Sequence, residues 1–194
     1  MWPSTASGGC RSALRGAPLA LQRQLDDLHS VALSLNNLGE LARRLEDDAG
    51  AARLLAEGLA LARRLEARRL LPYMLNNLGV LQSRRDDHAA ARASFAEALE
   101  LLRHTGDRGE LLTSLLGCAL LALQRGRAEL AARLLGAVAG LAAAGTPFPA
   151  VARADHAALE ARAAAELGPQ RCRTLADEGR RLSPEQASAA ALAG

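Results

Sequence analysis

The sequence predicts an all-α protein of stacked antiparallel helix pairs, and three observations carry that expectation. Leu35-Asn36-Asn37-Leu38-Gly39 returns forty residues later as Leu75-Asn76-Asn77-Leu78-Gly79, with similar residues following each copy. Aromatic residues are only 2 % of the 194, so the core must come from Leu and Ala, which suit close helix packing better than a sheet. The strand formers Val, Ile, Thr, Tyr and Phe are scarce. A chain of this length holds one domain or one run of repeats.

Taken in order, residues 1–17 are rich in Ser, Gly and Pro, lack periodicity and read as a disordered N-terminal segment. From Pro18 the pattern is helical. Leu19, Leu21 and Leu25 stand forty residues before Leu59, Leu61 and Leu65, so residues 18–30 read as the second half of a repeat whose first half is missing. The first full repeat is expected over residues 31–70. Leu35, Leu38, Leu41, Ala42 and Leu45 form its first apolar face, Glu46-Asp47-Asp48 its turn, and Ala51, Leu54, Leu55, Gly58, Leu59 and Leu61 its second face. Asp at such a turn caps the next helix, and the Arg pairs Arg63-Arg64 and Arg68-Arg69 suit a helix C-terminus.

The second repeat, residues 71–110, lies on the first without a gap. Pro72 lacks an N–H and fits only the first helical turn. Asp86-Asp87 matches the turn, Ala91, Phe95, Ala98, Leu99 and Leu101 match the second helix, and Asp107 with Glu110 has capping-box spacing. The third repeat, residues 111–146, keeps the register but is apolar on both faces: Leu116-Gly117 replaces the Asn pair, and Leu120 and Leu123 replace polar residues. Such a helix needs cover on both sides. Residues 147–194, after the break Thr146-Pro147-Phe148-Pro149, read as a cap of three helices: one to Leu167, a short one closed by Gly179, and a last Ala-rich one begun by Ser183-Pro184-Glu185-Gln186.

The combination Leu75-x-x-Leu78-Gly79 with Ala91-x-x-x-Phe95-x-x-Ala98 resembles the tetratricopeptide signature. Leu35-x-x-Leu38-Gly39 with Ala51, Leu55 and Gly58 repeats it in weaker residues. The period of forty exceeds the family's ~34, and Ala42 and Gln82 stand where it carries an aromatic. More narrowly, the "NNLG" repeats and the tail Ala176-Asp177-Glu178-Gly179-Arg180-Arg181-Leu182-Ser183 resemble the C-terminal sensor region of bacterial signal-transduction ATPases and transcription regulators of the MalT and LuxR types. The resemblance implies a tetratricopeptide-like α-solenoid at residues 18–146 that binds a protein or peptide in a concave groove lined by the first helix of each repeat. By register the groove residues are Asn36, Glu40, Arg43, Arg44, Tyr73, Asn76, Val80, Ser83 and Arg84, while Asn37 and Asn77 belong to helix packing.

The expected function is protein or peptide recognition, as the sensor or scaffold part of a bacterial regulator. The alternatives are a non-functional or detached C-terminal fragment of such a regulator and an Arg-rich nucleic-acid-binding α-solenoid. Against the last, all 24 basic residues are Arg, the net charge is only +3, and Arg alternates with Glu and Asp instead of forming a basic stripe. No catalytic, cofactor-binding or metal-ligating set is expected. Asp26-Asp27-Leu28-His29 and Asp86-Asp87-His88 lie at helix ends, where Asp caps. Cys10, Cys118 and Cys172 have no framework spacing, and Cys118 takes a Leu position as a buried small hydrophobe. The apolar run at residues 111–123 is too short to span a bilayer, and no export segment precedes Cys10, so a cytoplasmic protein is expected, of oligomeric state open.

Overall fold

The computed structural model describes residues 27–193, and all regular structure among them is helical. The expectations for residues 1–17, and for the partial repeat as far as residue 26, lie outside the described residues. Nine helices follow: α1 Leu28–Arg44, α2 Asp48–Arg64, α3 Leu71–Arg84, α4 His88–Thr105, α5 Arg108–Gln124, α6 Ala128–Ala143, α7 Ala150–Leu167, α8 Pro169–Arg180 and α9 Pro184–Ala193. The chain divides into two compact units, Met1–Asn77 and Leu78–Gly194, with the division inside α3.

The forty-residue register is visible in the backbone. After α1, Glu46 turns left-handed at φ 62°, and after α3 and α5 so do Asp86 at 59° and Gly126 at 70°. At each corner two amides close back on the helix just ended. Glu46 and Asp47 donate to the carbonyls of Arg43 and Ala42, Asp86 and Asp87 to those of Ser83 and Gln82, and Gly126 and Arg127 to those of Leu123 and Ala122. This pair of bonds is the Schellman motif, which satisfies carbonyls that a helix end leaves open. The residue that completes each motif is also the N-cap of the next helix: Asp47 accepts from Gly50 N at 2.9 Å and Asp87 from Ala90 N at 3.1 Å. Arg127 stands at the third such position and makes no side-chain cap bond.

α1 starts three residues earlier than the register suggested, because Asp27 accepts from Ser30 N at 3.1 Å and caps the helix there. Residues 28–30 therefore belong to α1 and not to the partial repeat.

In the first unit α1 and α2 pack side by side. Leu35, Leu55 and Ala51 are fully buried. The hairpin closes at Gly39, where an added Cβ would lie 2.7 Å from Leu55 Cγ. Leu41 and Leu45, expected on the apolar face, are 38 % and 51 % exposed. At ~100° per residue they fall outside the arc that holds Val31, Leu35, Gly39 and Ala42.

In the second unit Phe95 of α4 is held between two glycines. An added Cβ would stand 2.7 Å from Phe95 Cε1 at Gly79 and 2.3 Å from it at Gly117. Gly117 occupies the register position of Asn37 and Asn77, so the loss of Asn in the third repeat leaves room for a ring where the first repeat has Leu55. α5 packs against α4, α6, α7 and α9, and Leu116 and Leu123 are 7 % and 2 % exposed. The cover that its apolar surface demanded comes from the C-terminal helices, as the sequence led one to expect.

α8 packs against α6. Gly179, expected to end α8, sits inside it instead. Its Cα faces backbone: an added Cβ would be 1.9 Å from Arg133 O, and one at Gly136 would be 2.0 Å from Ala176 O. Arg133–Glu178 at 3.0 Å and Arg171–Glu129 at 2.9 Å join the same helices at their exposed edges. Exposed pairs of this kind contribute roughly 0–1 kcal/mol, so the backbone approach dominates.

A backbone oxygen cannot rotate out of the way as a side chain can. Gly179→Ala should therefore lower unfolding free energy by about 1–3 kcal/mol or more through overpacking. Gly109→Ala, whose new Cβ meets nothing closer than Asp107 Oδ1 at 3.4 Å, should raise it by roughly 0.5–1 kcal/mol as Ala replaces Gly in a helix. Urea unfolding of the two variants checks the opposite signs.

Candidate binding surface

Asn36, Asn76 and Leu116 stand at one point of the three repeats and are exposed by 4 %, 2 % and 7 %. The position is interior in every copy. The expectation that Asn36 and Asn76 open into a groove is corrected accordingly. A buried side-chain amide needs partners, and in the first unit Asn77 supplies one: its Nδ2 donates to Asn36 Oδ1 at 3.0 Å. Asn36 Nδ2 in turn donates to Asn37 Oδ1 at 3.5 Å. Asn77 is half-buried and joins α3 to α1, while Asn37 is exposed, so the packing role expected of both falls to Asn77.

Of the other predicted groove residues in the first unit, Glu40, Arg43, Arg44 and Tyr73 keep solvent access. Arg44 and Glu40 form an i,i+4 pair at 2.5 Å with side chains 42 % and 36 % exposed, and Tyr73 is 37 % exposed. In the second unit Arg84 is exposed. Val80 is half-buried against the core, while Ser83 is 0 % exposed, so the expectation for Ser83 is corrected as well. The side of α3 that carries Ser83 meets the end of α5, where Gln124 Nε2 donates to Ser83 O at 3.3 Å.

The second unit holds a concavity that sequence reasoning missed. Between α4, α5, α6 and α9 lies a cavity of about 30 Å³, walled by Phe95, Leu99, Leu121 and Leu130 and roofed by Ala191 and Leu192. Arg92, Arg125 and Arg127 stand at its rim, with no carboxylate among the lining residues. Arg92 Nη2 donates to Leu192 O at 3.0 Å, at the end of α9. In the sequence these arginines are dispersed over thirty-five positions among many others, so only the packing of four helices brings them together.

Cys118 lines the same cavity, 9 % exposed, and burial pushes its thiol up to about 12. Cys172 is also buried, and burial raises its thiol too. Asp27 and Asp87 act as caps, as their place at helix ends indicated. The Ser30 hydroxyl and then the Ser30 amide hold the Asp27 carboxyl below the usual carboxylate range. Among the described residues no group of three His, Cys, Asp or Glu is placed to hold a metal ion. No helix among them is long and apolar enough to cross a membrane.

Comparison with protein-family models, with curated proteins and with solved structures finds no match for the chain.

Removing the Asn36 amide leaves Asn77 without that acceptor in a half-buried place. Asn36→Ala should cost about 1–3 kcal/mol of stability, and the double variant with Asn77→Ala should cost less than the sum of the single ones. Denaturant titration of the four-member cycle measures both. For Cys118, a thiol raised from 9.0 to about 12 carries roughly a thousandfold less thiolate at pH 8 than an unperturbed one. Alkylation of Cys118 by iodoacetamide in the native protein should be slower by about that factor, and should recover in urea; peptide mass mapping reads the site.

Proposed function

We propose that the chain is a tetratricopeptide-like helical-repeat module that recognises a protein or peptide, serving as the sensor or scaffold part of a bacterial cytoplasmic regulator. The observation that carries the reading is the corner repeated at forty-residue spacing: the left-handed residues Glu46, Asp86 and Gly126, each with the same two backbone bonds. A corner recurring at fixed spacing marks helical hairpins built as copies, and arrays of such copies commonly present extended surfaces for partners. The role in a regulator rests on the resemblance of the "NNLG" repeats and the tail.

The burial of Asn36, Asn76 and Ser83 narrows the recognition surface. In the first unit it is carried by Glu40, Arg43, Arg44 and Tyr73, which offer a phenol and guanidinium forks for carboxylates and peptide carbonyls. Arg44 is shared with Glu40 at an exposed i,i+4 pair worth only about 0.3–0.5 kcal/mol, so a partner carboxylate can take it over at little cost.

The test is affinity capture from a bacterial lysate with the wild type and with Arg44→Glu/Tyr73→Ala. One protein retained by the wild type and lost at least tenfold by the folded variant supports the reading. Retention of the same set by both would overturn this surface. Salt-sensitive binding of random-sequence DNA or RNA, stronger than any protein capture, would replace the reading with a nucleic-acid-binding solenoid.

A further inference from the structure

The C-terminal ends of α3 and α5 are held by the same arrangement of bonds. Ser83 O, in the last turn of α3, accepts from Asp86 N at 3.2 Å and from Gln124 Nε2 of α5 at 3.3 Å. Leu123 O, in the last turn of α5, accepts from Gly126 N and from Arg162 Nη2 of α7, both at 3.1 Å. In each case a corner amide takes one lone pair of the carbonyl and a side chain of a later helix takes the other.

The side chains at these two matching positions differ. Leu123 is apolar and 2 % exposed, so its burial needs no partner. Ser83 is 0 % exposed, and its Oγ has no hydrogen-bond partner in the protein. A second oxygen in the same state stands on the residue that bonds Ser83. Gln124 Oε1 is buried without a partner, while Gln124 Nε2 is committed to Ser83 O. Turning the amide over would set one acceptor against another, since a carbonyl donates nothing. The orientation of Gln124 is thereby fixed, and Oε1 must find its donor elsewhere.

Two buried oxygens left unmet would each forfeit their hydration in full. A guest that answers both has to donate to Gln124 Oε1 and also bond a hydroxyl. The complete burial of Ser83 demands that this guest be small. Serine is also smaller than the leucine at the matching position of α5, and a water fits within that difference. Two neutral oxygens are too few for a hard cation, which takes about six. A water molecule meets both demands, since buried waters bond about two to four polar groups each.

We propose that α3 and α5 bind one structural water at this point, which donates to Gln124 Oε1 and is hydrogen-bonded to Ser83 Oγ. It ties the two helix ends through their side chains, beside the direct bond from Gln124 Nε2 to Ser83 O. The inward-turned Ser83 thereby has a task within the fold. The site lies wholly in the second unit and does not depend on the recognition surface proposed for the first.

The test is a crystal structure of the full chain at a resolution that shows ordered water, together with urea unfolding of variants. One water within hydrogen-bond distance of both Ser83 Oγ and Gln124 Oε1 is expected. Ser83→Ala removes one partner of that water and should lower the folding equilibrium constant about fivefold. Gln124→Ala should lower it further, because the bond to Ser83 O is lost as well. The double variant should lose less than the product of the two single losses, since both act on one water. Without the water the sign reverses: Ala is the better helix former and removes an unmet hydroxyl, so Ser83→Ala would hold or raise the constant. That result would overturn the proposal. So would density that shows no water at the site, a Ser83 hydroxyl bonded instead to Gly79 O of its own helix, or losses that multiply in the double variant.

Discussion

The corner at which one helix stops and the next begins constrains everything else in this chain. Asp47 donates its amide to the end of α1 and caps the start of α2 with its carboxylate, and Asp87 does the same between α3 and α4. With both tasks on one residue, a corner has no slack. The helices it joins must turn back on each other at once, and their facing residues must tolerate contact. That is why Gly39 lies on Leu55 and Gly79 on Phe95. The cost of a left-handed Glu46 or Asp86, about 1–2 kcal/mol for a residue with a Cβ, is accepted in two corners and avoided by Gly126 in the third.

From this corner the differences between repeats acquire physical causes. The first unit has a medium-sized side chain, Leu55, against Gly39 and keeps polar Asn36 and Asn77 bonded to each other. The second has a ring, Phe95, that needs a glycine on each side. Gly117 answers that need, and with it the Asn pair disappears. Once α5 carries Leu116 and Leu123 in place of polar residues, it cannot face water, and α7 and α9 cover it. α8 instead anchors the tail by backbone contact with α6, through Gly136, Gly140 and Gly179. The two covers differ in strength for that reason: α8 meets backbone at glycines, while α9 rests on alanines over a cavity.

Much of the candidate surface was legible in the sequence as a set of positions and little of it as a set of directions. Asn36 and Asn76 are polar, paired and repeated, which is the pattern of a lined groove and also of a buried hydrogen-bonded column. The burial of both residues and the 3.0 Å contact between Asn77 and Asn36 distinguish the two. Leu41 and Leu45 erred the other way, counted as core and found 38 % and 51 % exposed, because the apolar face read from the sequence was wider than the arc that α2 can cover. Arg92, Arg125 and Arg127 carried no signal at all. In a chain whose every basic residue is Arg, three more at ordinary spacing say nothing until the helices bring them to one rim.

The sequence by itself determined the helices, the forty-residue register, the capping aspartates and the need to cover both faces of the third repeat. These depend on interactions within a few residues or on a period that one helix imposes. Tertiary packing set which polar residues turn inward, that Gly179 is a crossing point instead of a helix end, and that the last helix lies over a cavity. Those outcomes depend on how closely two backbones approach, which is set by residues far apart in the chain.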